Sequence, residues 1–248
     1  MAKQQLIFVG SRWMMSSIAI IADLNGLEIK GILDHHYYGN KDSLNGIPYI
    51  GDERWLLDKN NAQAQEWLET CAFFPVNWHT GRQSLHGELD LSALRSERIR
   101  ILEESGAEVI NLIHPDIIGL KDLSNRYSTT TLGKGILLQA STFVGPDNNH
   151  IGDYCQIEAG SFIGHDITLG KNVQVAPKCY ISNGSHITIG DNSFVGAFAS
   201  FDFKHDSRVD MNIGSNVTIW TRAVVKRTLV PDNSIYTDTD KILKKIKQ

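Results

Sequence analysis

The sequence predicts a two-part protein: an α/β domain with a small parallel sheet, then an all-β domain coiled as a parallel β-helix. Two observations carry this. Strand-like and helix-like segments alternate through the first half of the chain, which is the pattern of βαβ units. In the second half an apolar residue recurs at every sixth position, with glycine repeatedly beside it. No α-helix has that period, because a helical stripe repeats at three and four.

In the first half, Gln5–Val9 is a buried-strand pattern ending at Gly10. Ser16–Leu24 reads as a helix with Ser16 or Ser17 as N-cap, stopped by Asn25-Gly26. Leu27–Leu33 is a second strand ending at Asp34, and together these make a Rossmann-like βαβ unit. Ile47–Ile50 is a short strand, and Asp52 caps the helical stretch Glu53–Asn60. Cys71–Val76 is a buried strand, Arg95–Glu104 an amphipathic helix stopped by Gly106, and Val109–Ile113 closes the sheet. Residues 77–94, with Trp78, His79 and His86, interrupt the pattern as a long loop.

In such sheets ligands gather at the carboxyl ends of the strands. Gly10, Ser11 and Arg12 in the loop after the first strand, and Asp34 after the second, are therefore candidate substrate contacts. The loop has one glycine, short of the dinucleotide fingerprint. A solvated Arg12 and a turn-forming Asp34 explain the same residues equally well.

In the second half, Leu132, Leu138 and Val144 mark the step of six, and one extra residue in Pro146–Asn149 precedes the next run. That run is Ile151, Ile157, Ile163, Leu169, Val175, Ile181 and Ile187. After a shift of two, Ile189, Val195, Phe201, Ile213, Ile219 and Val225 resume it, with Ser207 breaking the register inside the polar segment 204–210. Glycine follows a marked residue at Gly133, Gly145, Gly152, Gly164, Gly170, Gly190, Gly196 and Gly214. Glycine is placed where a backbone takes positive φ or turns tightly. Each apolar residue points into a prism and stacks on its counterpart one coil away.

Composition bounds the function. The chain has 248 residues, 42% of them hydrophobic and 21% charged, with a formal net charge of −4. That balance argues against nucleic acid or an anionic membrane as the main partner. Cys71, Cys155 and Cys179 are far apart, so neither a disulfide framework nor a zinc finger is indicated. With no signal-peptide pattern or membrane-length apolar run in the sequence, the expected location is the cytoplasm. The expected boundaries are 1–115 for the α/β domain, 116–230 for the β-helix, and 231–248 for a tail with a basic helix over 241–247.

Residues 5–230 resemble the two-domain sugar acetyltransferases that modify nucleotide-linked amino sugars, and the related sialic-acid O-acetyltransferases. The features that carry the resemblance are the βαβ domain, the junction Leu112-Ile113-His114-Pro115, the hexapeptide coil, and above all Ile163-Gly164-His165-Asp166. The resemblance implies a left-handed β-helix and a homotrimer, with acetyl-CoA as co-substrate in the groove between two β-helices. It implies His165 as general base, oriented by Asp166, acting on a sugar amine or hydroxyl. Neighbours on a strand point to opposite faces, so Asp166 can serve His165 only where that alternation fails. It further implies Gly184 as a backbone donor to the thioester oxygen, and Gly196 and Ala197 against the pantetheine arm. The family's glycine-rich first loop with its histidine, its second histidine (here Gln174) and its C-terminal G-x-P-A segment are absent.

Two rivals remain at this stage. A zinc-dependent β-helix enzyme needs three converging histidines, but His150 and His186 read as equivalent corners two coils apart, too far for one ion. No metal is expected. A non-catalytic β-helix scaffold is the second rival, and the intact His165-Asp166 argues against it. The expected partners are a small-molecule sugar acceptor and further copies of the chain, with N- and O-transfer both open.

Overall fold

The computed structural model describes residues 4–11, 15–76, 91–120, 128–181, 186–201, 210–237, 239 and 241–244. The chain divides into two compact units, Met1–Leu112 and Ile113–Gln248. Among the described residues, no helix is long and apolar enough to cross a membrane.

The first unit is an α/β sheet of five strands: β1 (Gln5–Val9), β2 (Glu28–Leu33), β3 (Ser43–Leu44), β4 (Ile47–Gly51) and β5 (Cys71–Pro75). The spatial order is β3-β4-β2-β1-β5. The pairs β4–β2, β2–β1 and β1–β5 are parallel, and β3 joins β4 as an antiparallel edge. Leu6, Ile7, Phe8 and Val9 are all fully buried, as expected of a parallel strand covered on both faces. Helix α1 (Met15–Leu24) buries Met15, Ile18, Ile21 and Ala22, the spacing of one helical stripe.

The structure departs from the sequence pattern at several elements. A further helix, α2 (Ala62–Thr70), is capped by Asn61, whose side chain accepts the Ala64 N–H at 3.0 Å. Helix α3 spans Leu91–Glu104, so its first four residues come from the expected loop, whose remainder, 77–90, lies outside the described residues. Asp52 does act as a cap, but for a 3-10 helix, Glu53–Leu57, and not for an α-helix. Val109–Ile113 does not close the sheet as a strand. Val109 makes one bridge to Phe73, and Leu112–Ile113 instead heads a sheet of the second unit.

The second unit is a parallel β-helix with three flat faces. The first face stacks Thr131–Leu132, His150–Ile151, Ile167–Leu169, Ile187–Ile189, Met211–Ile213 and Leu229–Val230. The second runs from Leu112–Ile113 through Gln156–Ile157 to Ser234–Tyr236, and the third from Phe143–Val144 to Val224–Val225. Successive coils pair in register, such as Ile151 with Leu169 and Phe162 with Tyr180. Backbones of neighbouring coils therefore lie about 4.8 Å apart. The inward column of the third face, Val144, Ile163, Ile181, Phe201 and Val225, is at most 3% exposed.

The glycines that directly follow a marked residue serve space, not dihedral freedom. The positive φ of each corner falls two residues later, on Tyr154, Asp166, Asn172, Lys178, Asn192 or Phe198. Gly152 has no positive φ, but a Cβ there would meet the Gly170 carbonyl oxygen at 2.6 Å. Gly152→Ala is therefore expected to cost about 1–3 kcal/mol by overpacking against a backbone that cannot yield. A chemical-denaturation curve checks this, and an unchanged midpoint would refute it.

Of the expected basic helix over 241–247, Ile242–Lys244 forms a strand, and 245–247 lie outside the described residues. Ile242–Lys244 pairs antiparallel with Ser234–Tyr236 and covers the open edge of the second face. An uncovered edge would leave a row of unpaired N–H and C=O groups.

Candidate active site

The inward residues locate every irregularity of the repeat on one edge of the prism. Steps from first to second face are always six, as from Ile151 to Ile157, and so are steps from second to third, as from Ile157 to Ile163. Steps from third face back to first are seven (Val144 to Ile151), six (Ile163 to Leu169), eight (Ile181 to Ile189), twelve (Phe201 to Ile213) and five (Val225 to Val230). One sequence reading changes accordingly. Ile187 does not continue the marked column, because it stacks on Ile167 while Ile189 stacks on Leu169. Ser207 lies outside the described residues, and among the described strands Phe201 on the third face is followed by Met211–Ile213 on the first. Residues 182–185 and 202–209 of this edge lie outside the described residues. Insertions gathered on one face of a repeat protein commonly build its binding surface.

His165 and Asp166 form the six-residue corner of that edge, between Ile163 and Leu169. His165 Nδ1 lies 2.7 Å from Asp166 Oδ2. Neighbouring side chains meet because Asp166 has φ +59, which abolishes the strand alternation at that residue. Asp166 Oδ1 accepts a hydrogen bond from Asn148 Nδ2 at 3.1 Å, and His186 Nδ1 stands 3.9 Å from the same oxygen. The hydrogen bond from His165 holds the Asp166 carboxyl below the usual carboxylate range; partial burial opposes this, and Asn148 reinforces it. An ionised carboxylate only accepts, so Nδ1 carries the proton and Nε2 is the ring's acceptor. The His165 side chain is half exposed, leaving the ring open to a reactant.

Sequence reasoning places His150 and His186 in equivalent corners, and the structure separates them. His150 pairs with Thr168 on the first face, with its Nδ1 2.9 Å from Thr131 Oγ1. His186 precedes Ile187, the partner of Ile167, and so sits one coil from Asp166.

Of the other expected residues, Gly184 and Arg12 lie outside the described residues. Gly196 is buried, with its N–H given to the Ile219 carbonyl and its own carbonyl accepting Ala199 N–H and Cys179 Sγ–H. Ala197 is half-buried beside it. Both sit on the edge between second and third faces, so a single chain does not bring them to His165.

Gly10, Ser11 and Asp34 do meet, at the carboxyl ends of β1 and β2. Ser11 Oγ donates to Asp34 Oδ2 at 2.7 Å, and Tyr49 Oη donates to Ser11 Oγ at 3.1 Å. Gly10 N–H bonds the Leu33 carbonyl at 2.8 Å. Asp34 is buried, and its other oxygen accepts from Arg98 at 2.9 Å and from His36 N–H at 3.1 Å. Arg98 also bonds Glu53 at 2.7 Å, and Glu53 receives His35 Nδ1 at 2.8 Å. Burial disfavours the charged form of Glu53, but Arg98 and then His35 outweigh it and hold the carboxyl below its ordinary range. His35, Asp52 and Glu53 offer ligand atoms within 4.8 Å of one another, yet the Arg98 cation already occupies Glu53. Sequence reasoning missed Glu53 and Arg98. The available signal was Arg95 and Arg98 on the buried stripe of α3 with Ile99 and Leu102.

Residues 150–183 match the bacterial transferase hexapeptide model, a unit of six repeats. In structure the chain is similar to a histidine-to-asparagine mutant of perosamine N-acetyltransferase from Caulobacter crescentus, solved with CoA and GDP-perosamine. The TM-score is 0.74, with 21% identity over 97% of each chain. The fold is that of this acetyltransferase. The acetyltransferase domain of PglB from Neisseria gonorrhoeae, in complex with acetyl coenzyme A, is similar at TM-score 0.70 and 21% identity over 95% of this chain and 97% of that one. WeeI from Acinetobacter baumannii is similar at TM-score 0.70 and 19% identity over 96% of this chain and 100% of that one. No curated protein matches the chain in sequence. The hexapeptide match covers the coil that carries His165-Asp166 and fits a left-handed winding of the β-helix.

Proposed function

We propose that this chain is an acetyl-CoA-dependent acetyltransferase acting on an amino group of a nucleotide-linked sugar, with His165 as general base. The observation that carries the reading is the single irregular edge of the prism, with His165 paired to Asp166 on one of its corners. The structural neighbours solved with CoA, acetyl-CoA and GDP-perosamine support the class of both substrates.

His165 Nε2 takes the proton of the attacking amine while Asp166 steadies the imidazolium that forms. The amine nitrogen bonds to the acetyl carbon, the C–S bond breaks, and the sulfur leaves as the thiolate of CoA, which takes up a proton. No acyl-enzyme is needed, so the chain supplies positioning, a base and backbone donors for the developing oxyanion. Gly184 is the proposed oxyanion donor.

The working unit is proposed to be a homotrimer in the cytoplasm. His165 and the Gly196–Ala197 corner lie on different edges of one prism, so a groove completed by a second copy would bring them together. The third face between those edges bears a ladder of rings: Phe143 stacks on Phe162 at 4.4 Å, and Phe162 on Tyr180 at 4.9 Å, with Tyr180 half exposed. Gly10, Ser11, Arg12 and Asp34 are the proposed acceptor contacts of the first unit, with Asp34 acting through Ser11 because its own oxygens are engaged.

Calorimetric titration with CoA and then with UDP-, GDP- and dTDP-sugars tests the reading. Binding of CoA and of one nucleotide sugar is the expected result. CoA alone would move the acceptor away from nucleotide sugars, and binding of neither would overturn the transferase.

A further inference from the structure

The coil beneath the His165–Asp166 corner contains a polar residue where the later coils place apolar ones. His150 pairs with Thr168, so Asn149, just before it, is the counterpart of Ile167, Ile187 and Met211. Those three are fully buried, and Asn149 is 2% exposed. An amide in such a column costs roughly 1–3 kcal/mol unless its groups are paired. The coil itself asks only for an apolar residue there, as the three later coils show.

Every group of the Asn149 amide is paired, and the partners enclose the dyad. Nδ2 donates to the carbonyl of Gly164 at 2.8 Å and of Gly145 at 2.9 Å, and Oδ1 accepts the N–H of Ile167 at 2.9 Å. Gly164 and Ile167 are the residues immediately before and after His165-Asp166. One side chain thus ties both ends of the corner whose positive φ brings the imidazole to the carboxylate. Its neighbour Asn148 acts on the carboxylate itself through Oδ1 of Asp166. Asn148 is held in turn by Thr129, whose hydroxyl donates to its Oδ1 at 3.1 Å and accepts its N–H at 2.8 Å.

We propose that Asn149 and Asn148 are positioning residues for His165: Asn149 fixes the backbone of the His165–Asp166 corner, and Asn148 fixes the carboxylate that selects the ring's tautomer. The kinetic consequence rests on His165 being the base; the placement of the ring does not.

The test is the side-chain 15N spectrum of His165 in the full-length chain, assigned by its loss in His165→Ala, alongside kcat and KM. The native protein is expected to show one neutral tautomer, protonated at Nδ1. Asn149→Leu and Asn148→Ala are expected to show mixed tautomers and a kcat lower by about tenfold to a hundredfold, with KM for acetyl-CoA unchanged, because a small misplacement of a catalytic group costs on that order. A purely structural asparagine would lower the melting temperature and leave the tautomer alone. If Asn149→Leu does not fold, Asn148→Ala, at an exposed position, decides. Native-like His165 resonances in the folded variants would overturn the proposal, as would mixed tautomers in the native protein. A tautomer shift in a chain that transfers no acetyl group would uphold the positioning and sink the transferase.

Discussion

His165→Ala is expected to lower kcat for acetyl transfer by about 10²–10⁴-fold, the usual contribution of a positioned general base. The melting temperature should barely move, because the ring is half exposed and its hydrogen-bond partner in the structure is Asp166. Asp166 keeps its bond to Asn148 in the variant, so the loss reports the missing base and not a collapsed corner. Asp166→Asn should lower kcat as well, since an amide no longer forces the proton onto Nδ1. Asp166 is held below the usual carboxylate range, chiefly by the His165 hydrogen bond. It therefore stays anionic throughout the neutral range, and loss of activity above about pH 5 cannot be its protonation. Thiol release from acetyl-CoA with the acceptor identified by calorimetry measures both variants. Full turnover in a folded His165→Ala protein would remove the base.

How much of this was legible in the sequence depends on the range of the interaction. The hexapeptide period is local, and it shows the coil because each inward residue stacks on its own kind one coil away, as Ile163 does on Ile181. The dyad was legible as adjacent residues, but its geometry depends on the positive φ of Asp166, which a sequence of plausible strand residues does not display. The glycines drew attention correctly and for an incomplete reason: Gly152 and Gly196 face the backbone of the next coil, a contact that exists only in three dimensions. Asn149 was hidden because an asparagine in a polar tetrapeptide reads as loop, and only the register of His150 with Thr168 shows that it points inward. Ile187 misled because it falls on the six-residue step by coincidence of a two-residue insertion. In the first unit the alternation of strands and helices was enough for the sheet. The ionic cluster was not legible, since Arg98 meets Glu53 across 45 positions of chain and no local pattern links them.

That cluster carries the largest expected effect on stability. Arg98→Met is expected to destabilise the first unit by about 3–5 kcal/mol, the usual consequence of removing one member of a buried ionic set. Arg98 is 3% exposed, and it is the cation shared by Asp34 and Glu53, each 1% exposed. Without it two carboxylates remain buried, and Glu53 retains His35 while Asp34 retains Ser11 and His36 N–H. The pH dependence should change sign. In the native chain the Glu53 carboxyl is held low, so its contribution is complete above the unfolded value near about 4.3 and is lost as pH falls through the folded value. His36, held low by burial and then by His35, acts in the same direction from about pH 6.5 downward. In Arg98→Met burial acts on Glu53 unopposed by the guanidinium, so its folded value rises above the unfolded one. Stability should then increase as pH falls through the raised folded value of Glu53, and the deficit against the native chain should narrow. Tryptophan fluorescence reads this unit well, since Trp55 and the buried Trp67 belong to it. Urea unfolding near neutral pH and again near pH 5 separates the alternatives: a deficit that stays constant between them would show that Arg98 acts there by packing alone, and a deficit that widens at the lower pH would contradict the ionic account.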